Sequence, residues 1–406
     1  MFHAVARGGI IPTPVANESQ KTILLIAGDL SGDINTARLA RTVRERHPGW
    51  TLIAIGGEHL GGEAQQSTGG QWLGDTRDMS GIGIYASVAK FPRAVVLSRK
   101  LKKFSAANKI DAVVMCDWGA FNCGHLNFFK KTRVPVLYYF PPGSWRRTGR
   151  GGLGIAPLVA RVATPFEWSA QRLVAAGCNA EWVGHPMLEQ SRDPERRAEL
   201  RREFGVAENE KLVALLPGSR MAEVKCLAPR LAAAAEIFRE KKDVRFIVAT
   251  PQNRLETARK FFPDRIKIVG ERAADALLAC DAAVVKSGSA TLEAAVLGAP
   301  QVVVYDFPWI GRTEWLFLWM WKKNVPFIAM PNVILQRMAV QELLGPGCTP
   351  AAIAKSVTAL LEDEPLRARI ARDCDEIRRA LGSELGKPGS LRTAEILDEM
   401  LAQPPA

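Results

Sequence analysis

Short apolar runs, each closed by a turn of small residues and followed by a helical stretch, recur along this chain and leave few folds open to it. Thr22-Ile23-Leu24-Leu25-Ile26-Ala27 has the composition of a buried strand. A tight turn over residues 28–32 and a helix through Arg46 are expected after it. Residues 51–55 form a second such run, closed by Gly56-Gly57, and residues 112–116 and 134–139 continue the series. Runs without polar alternation belong to sheets covered on both faces, and strands alternating with helices make that sheet parallel. The pattern restarts at residues 212–216, with a helix predicted over 222–241 and further strands over 244–249, 266–269, 282–285 and 301–305. Two wound sheets in series predict an α/β chain of two Rossmann-like domains with a cleft between them.

The length of 406 residues fits two to three domains at about 150 residues each. The boundary is expected between Gly184 and Glu210, with the charge-rich residues 191–202 as a linker helix. The expected organisation is a disordered tail over 1–20, an amino-terminal domain over 21–188, a second domain over 189–385, and a carboxyl-terminal helix and tail over 386–406. The first twenty residues are too short of apolar character and too broken by proline for a signal peptide. Seven scattered cysteines, with no Cys-x-x-Cys pair, argue against a disulfide framework or structural zinc and suit a reducing cytosol. Cys116 and Cys280 are expected to be small buried hydrophobes.

The net charge of +12 calls for an anionic partner. Nucleic acid is ranked last, because no basic strand studded with aromatics and no recognition motif accompanies the charge. The segment from Trp309 to Lys323 carries four tryptophans, Arg312, Glu314 and two terminal lysines, which suits an interfacial surface better than a membrane span. Packing against a second subunit or the other domain is the alternative for these rings, so a homo-oligomer stays open.

In open α/β sheets ligands bind beyond the carboxyl ends of the strands. After residues 282–285 comes Lys286-Ser287-Gly288-Ser289-Ala290-Thr291-Leu292-Glu293. Small residues let a backbone approach an anion, and a helix starting near Ala290 offers free N–H groups. Glu293, in the first turn, is placed to accept ribose hydroxyls. The same residues also suit an ordinary capping box. After residues 215–216 comes Pro217-Gly218-Ser219-Arg220, whose arginine is suited to a bidentate phosphate contact. After Cys116 comes Asp117, a candidate general base or a helix N-cap. The first turn, with Asp29, Ser31 and Asp33, lacks GxGxxG and suits hydroxyls better than pyrophosphate. His185 lies at the domain junction, where a lone histidine is more often structural. Asp373-Cys374-Asp375 is the only tight Asp-x-Asp, and its charged helical surroundings read as a solvated face rather than a metal site.

These blocks together resemble the lipid-A-disaccharide synthase family. The match runs through Ala27 to Asp33, Gly56-Gly57, Val183-Gly184-His185-Pro186, Leu216 to Arg220, Ser287 to Glu293 and Pro326-Phe327-Ile328-Ala329-Met330-Pro331-Asn332, in the family's order. The resemblance implies a GT-B fold and a peripheral enzyme at the inner face of the cytoplasmic membrane, using neither cofactor nor metal. It implies inverting transfer of a diacylated glucosamine from a UDP-sugar donor to a phosphorylated acyl-glucosamine acceptor, 2,3-diacylglucosamine 1-phosphate. By position it makes Asp117 the base and Arg220 the diphosphate arginine. Gly218, Ser219, Ser287, Gly288, Ser289, Thr291, Glu293 and Asn332 fall to the nucleotide sugar, and Asp29, Ser31, Asp33, Asn122, Trp145 and His185 to the acceptor side.

The departures concentrate in the amino-terminal half. Asp29 stands for the family's glutamate, Ala86 and Ala120 for two of its acids, and Gly143-Ser144-Trp145-Arg146-Arg147 for its Ser-Val-Trp-Ala-Trp-Arg. A related transferase or epimerase, or a silent lipid-binding paralogue, are the alternatives these changes leave open.

Overall fold

The computed structural model describes residues 20–77, 79, 84–147, 153–306 and 326–402, without the side chains of 84–91 and 153. The Trp309–Lys323 segment, the tail before residue 20, Ile82-Gly83 and the Ala86 side chain therefore lie outside the described residues. Two compact units emerge. One comprises residues 1–186 with 381–406, the other residues 187–380.

The first unit holds a seven-stranded sheet of β1 (Thr22–Ala27), β2 (Thr51–Gly56), β3 (Gln71–Asp75), β4 (Ala112–Cys116), β5 (Val136–Tyr139), β6 (Arg161–Thr164) and β7 (Ala180–Trp182). All neighbours are parallel, in the order β3-β2-β1-β4-β5-β6-β7. Helices α1 (Leu30–Arg46), α2 (Glu58–Gln65), α3 (Ile84–Ala107), α4 (Gly119–Lys131) and α5 (Glu167–Ala175) supply the crossovers. Every residue of β4 is buried, as its unbroken apolar run requires.

The second unit repeats the plan. After α6 (Pro194–Phe204) come β8 (Lys211–Leu216), α7 (Met221–Glu236), β9 (Val244–Thr250), α8 (Leu255–Arg259), β10 (Lys267–Gly270), α9 (Ala273–Ala279), β11 (Ala282–Lys286), α10 (Ser289–Leu297), β12 (Gln301–Tyr305), α11 (Met330–Leu335), β13 (Gln341–Leu344), α12 (Pro350–Glu362) and α13 (Glu364–Ala380). The sheet is again all parallel, ordered β10-β9-β8-β11-β12-β13.

The last helix, α14 (Gly389–Ala402), belongs to the first unit. Its Ala394, Ile396, Leu397 and Met400 join the core that contains Leu39 and Val43 of α1. Asp398 fastens it by an ion pair to Arg46 at 2.7 Å and a hydrogen bond with His47 Nε2 at 2.8 Å.

Four strands have no counterpart in the sequence reading: β3, β6, β7 and β13. They are three to five residues long, and three of them interleave polar residues, as in Gln-Trp-Leu-Gly-Asp and Gln-Glu-Leu-Leu. The turn expected over residues 28–32 is shorter. Asp29 caps the helix, accepting from the Gly32 N–H at 2.7 Å, so Ser31 and Gly32 are already helical. Asp373 is not on a solvated face. It is buried on α13 and pairs with Arg337 at 2.7 Å, while Cys374 beside it is also buried and Asp375 pairs with Arg192.

Candidate active site

Each sheet reverses its strand order once, between β1 and β4 in the first unit and between β8 and β11 in the second. Such switch points open a crevice beyond the strand ends, where ligands of wound α/β sheets bind. The register Ala27↔Cys116 sets Gly28 beside Asp117. The register Val285↔Leu216 sets Lys286 beside Pro217.

At the first switch point the backbone is held in an unfavourable conformation. Asp117 has φ +47° and Trp118 φ +43°, and Phe140, just after the neighbouring β5, has φ +55°. These are three of the six non-glycine residues with positive φ among the described residues. Left-handed conformations cost such residues about 1–3 kcal/mol each and persist only where neighbours enforce them. Here the enforcement is visible. The Asp117 N–H donates to Phe140 O at 3.0 Å. The Asp117 carbonyl accepts from Asn122 Nδ2 and from the Tyr138 hydroxyl, both at 2.9 Å. Trp118 lies so close over Gly28 that a Cβ there would meet its indole at 2.0 Å, and its ring stacks on Phe121 at 4.1 Å.

The reward of this arrangement is a carboxyl with a displaced pKa. Burial, and next the negative charge of Asp29, push Asp117 up to about 7, against the opposing N–H of Trp118. A group that titrates near neutrality is suited to take a proton from a hydroxyl.

The other residues assigned to the acceptor side divide. Asp29 is the α1 cap and acts on Asp117 through its charge; the Ser31 hydroxyl donates to it at 3.1 Å. Asp33 faces inward. It is 2% exposed and accepts from the His59 and Leu60 N–H groups, both at 3.1 Å, so it caps α2, whose own N-cap is a glycine. Asn122 is fully buried and braces the Asp117 turn. His185 is buried against Phe140 and Phe166. Burial, and then Arg38, lower its pKa to about 3, so it stays neutral. Its backbone N–H bonds Leu381 O at 2.8 Å, where the chain re-enters the first unit. Trp145 alone of this set is a well-exposed ring.

At the second switch point glycine removes the strain. Gly218 takes φ +114° and Gly288 φ +157°. A side chain at Gly218 would also strike Glu223, within 2.6 Å of its Cβ. Glu223 accepts from the Ser219 and Arg220 N–H groups at 3.1 and 3.2 Å and pairs with the Arg220 guanidinium at 3.1 Å. It also binds Lys286 Nζ at 2.6 Å. Burial works to raise the Glu223 pKa, but Lys286 and the Arg220 N–H hold it below the usual range. Burial lowers Lys286 in turn, with Glu223 opposing. Two cations share one carboxylate, so the turn keeps a net positive charge. Lys286 was absent from the expected site, although a lysine closing the apolar run Ala-Ala-Val-Val is a legible signal.

Helix α10 begins at Ser289 behind the N-cap Gly288, and no side chain caps it. Glu293 is therefore the fifth helical residue, beyond the first turn, and accepts from Gln190 Nε2 at 2.7 Å. The side chains of Ser287, Thr291 and Asn332 bond to the protein itself. Ser287 Oγ donates to Ile328 O at 2.9 Å, and buried Thr291 Oγ1 donates to Gly288 O at 2.7 Å and accepts from the Met330 N–H at 3.2 Å. Asn332, fully buried, ties Val340 and Glu342 together. These three hold the 328–330 loop against the turn. Gly218, Ser219, Arg220, Gly288 and Ser289 remain as the backbone and side-chain surface for an anion.

Comparison with known proteins agrees with this geometry. The family model described as lipid-A-disaccharide synthetase matches residues 23–387. The lipid-A-disaccharide synthase of Myxococcus xanthus is 34% identical over 391 residues, covering 93% of this chain and 97% of the relative. That of Syntrophus aciditrophicus is 32% identical over 388 residues, with the same coverage of 93% and 97%. Among solved structures, the UDP-GlcNAc 2-epimerase from Neisseria meningitidis bound to UDP-GlcNAc superposes with a TM-score of 0.62 at 12% identity, covering 94% of this chain and 99% of that one. MurG of Acinetobacter baumannii gives 0.55 at 15% identity, covering 93% and 99%. The structural likenesses carry the two-domain GT-B fold alone, but the sequence relatives and the family match carry more: the chain belongs to the lipid-A-disaccharide synthase family of UDP-sugar glycosyltransferases.

Proposed function

We propose that this chain moves a diacylated glucosamine from UDP to the 6-hydroxyl of 2,3-diacylglucosamine 1-phosphate, with inversion. The observation that carries the mechanism is the Asp117 carboxyl, titrating at about 7 in a turn that hydrogen bonds to Phe140, Asn122 and Tyr138 pin in place. Asp117 takes the hydroxyl proton as the oxygen attacks the anomeric carbon, and the bond to UDP breaks with its electron pair leaving on the diphosphate. Arg220, Lys286 and the uncapped N–H groups of α10 hold the charge that develops on the leaving group. In this reading the first unit, with α14, binds the acceptor and the second unit binds the donor.

The substrates are acylated and one is phosphorylated, so the working place proposed is the inner face of the cytoplasmic membrane. The +12 charge suits its anionic headgroups, and no helix among the described residues is long and apolar enough to cross a membrane.

A coupled UDP-release assay with UDP-diacylglucosamine and the 1-phosphate acceptor tests this. Acceptor-dependent UDP release and a disaccharide product whose mass is that of donor plus acceptor minus UDP, both lost in Asp117→Asn, are expected. UDP-sugar consumption that needs no acceptor, or binding of UDP with no turnover on any acceptor, would sink the proposal.

A further inference from the structure

The carboxylate of Glu223 is where the contacts of the second switch point meet, yet the chemistry described gives it no part. Four donors converge on it. Its Oε2 accepts from the Ser219 and Arg220 N–H groups at 3.1 and 3.2 Å, which ties it to the turn. Its Oε1 accepts from Arg220 Nη1 at 3.1 Å and from Lys286 Nζ at 2.6 Å. One cation comes from the start of α7 and the other from the end of β11, and they share a single oxygen. The face of the Tyr305 ring, at the end of β12, lies 5.2 Å from Lys286 Nζ. The side chains of Glu223 and Lys286 are only 12% and 11% exposed, whereas that of Arg220 is 39% exposed.

Like charges side by side repel, and a buried ammonium sheds its proton unless an anion faces it. Among the described residues that anion is Glu223. Burial lowers the Lys286 ammonium, Glu223 opposes this, and Arg220 adds to the lowering. The carboxylate divides its work: the oxygen bound to the backbone fixes the one that faces the cations. Arg220 gives one nitrogen to Glu223, and its Nε and Nη2 have no partner among the described residues. The ammonium of Lys286 meets one carboxylate oxygen and has further protons to donate. Both cations therefore keep donors for a second anion, oriented before it arrives.

We infer that Glu223 is a positioning residue of the donor site, which keeps Lys286 charged and fixed beside Arg220 so that the pair stands ready for the diphosphate. This rests on the reading of the turn as the place of the leaving UDP. A helix cap alone would need only the Oε2 half of these contacts, and a glutamine supplies that half as a glutamate does.

Glu223→Gln separates the two roles, since it keeps the cap and removes the charge. In one arm, NMR follows the protein isotope-labelled at lysine Cε through a pH titration, the Lys286 signal being the one missing from Lys286→Arg. Lys286 is expected to lose its proton at lower pH in Glu223→Gln than in wild type; the same titration in both overturns the inference. Arg220→Gln is the counter-test, with the more exposed side chain removed, and reads the same coupling if glutamine at 223 unfolds the chain. It takes away a like charge, so Lys286 should titrate at higher pH, and an unchanged or lowered titration overturns the inference. In the other arm, calorimetry measures UDP affinity of wild type and Glu223→Gln. Between about pH 6.5 and pH 9.5 the ratio of variant to wild-type Kd is expected to rise about tenfold, the worth of one unit of displaced titration. Taking the ratio cancels the titration of the phosphate of UDP itself. A ratio constant across pH, near one or uniformly raised, marks a cap alone and overturns the inference. Neither arm needs an acceptor or turnover. These results in a protein that transfers no sugar would sink the proposed reaction and leave the role of Glu223 standing, while a wild type that does not bind UDP would sink both.

Discussion

The two switch points place charge in opposite ways. At β1/β4 a carboxyl is buried next to a second carboxylate, with no cation among the described residues acting on it, in a turn built from non-glycine residues with positive φ. At β8/β11 the turns pass through glycine, and the buried carboxylate of Glu223 is shared by Arg220 and Lys286. A general base must be left uncompensated, or it would not take a proton at neutral pH. An anion site must keep cations in excess. The same wound topology thus supports a destabilised position in one unit and a well-paired one in the other.

That contrast is tested most sharply at Asp117. Asp117→Asn is expected to lower kcat by about a hundredfold to ten-thousandfold. It is also expected to stabilise the fold. The Asp117 pKa is higher folded than unfolded, so its contribution to stability is full below about pH 4 and is lost as pH rises through about 7. The gain from the asparagine should therefore be near zero at pH 4 and plateau above pH 7, at roughly 4 kcal/mol by linkage. Melting curves of both proteins from pH 4 to 8 check this; equal stability across that range would break the comparison. In the wild type, kcat/KM should rise through about pH 7.

On the donor side activity and stability should fall together. Lys286→Met is expected to lower kcat/KM by about a hundredfold and to cost about 3–5 kcal/mol, the range for breaking a buried pair. Arg220→Ala should lose comparable activity with less stability, since its side chain is more exposed than that of Lys286. Product inhibition by UDP should weaken in both. A Lys286 variant that is more stable than wild type would erase the distinction.

A smaller effect is expected at Asn122→Ala. It leaves the Asp117 carbonyl with one donor fewer and should cost about 1–3 kcal/mol. Because Asn122 positions the base rather than touching substrate, kcat should fall with KM nearly unchanged, and the pH-rate midpoint should shift. The last expected change, seen only on acidification, is at His185. Its pKa is lower folded than unfolded, so stability is lost as pH falls from about 6.5 toward 3. His185→Gln should remove that slope, about 1.4 kcal/mol per pH unit, which chemical denaturation at pH 7 and pH 5 would reveal.

Much of the fold was legible because parallel, doubly covered strands advertise themselves as apolar runs. The runs at 22–27, 112–116, 212–216 and 282–285 all became central strands. The strands without such runs, β3 and β13 among them, lie toward the sheet edges, where burial on both faces is not required. The strand-end positions of Asp117 and Arg220 were legible for the same reason, the first directly after an apolar strand and the second at the end of the turn that closes one. Asp33 and Asn332 were misread for a general one. Both stand in recognisable motifs, but a motif records that a residue is needed and is silent on whether its side chain faces ligand or fold.

The sequence by itself determined the class of fold, the two-fold repetition of a wound sheet, and the strand-end turns where chemistry is placed. All three follow from local periodicity and turn composition. The tertiary structure alone decided how those turns are charged. It brought Glu223 to Lys286, 63 positions apart in number, set Asp117 beside the negative charge of Asp29, and returned α14 to the unit the chain had left. Burial and pairing are relations between distant segments, and pKa, strain and anion affinity depend on them.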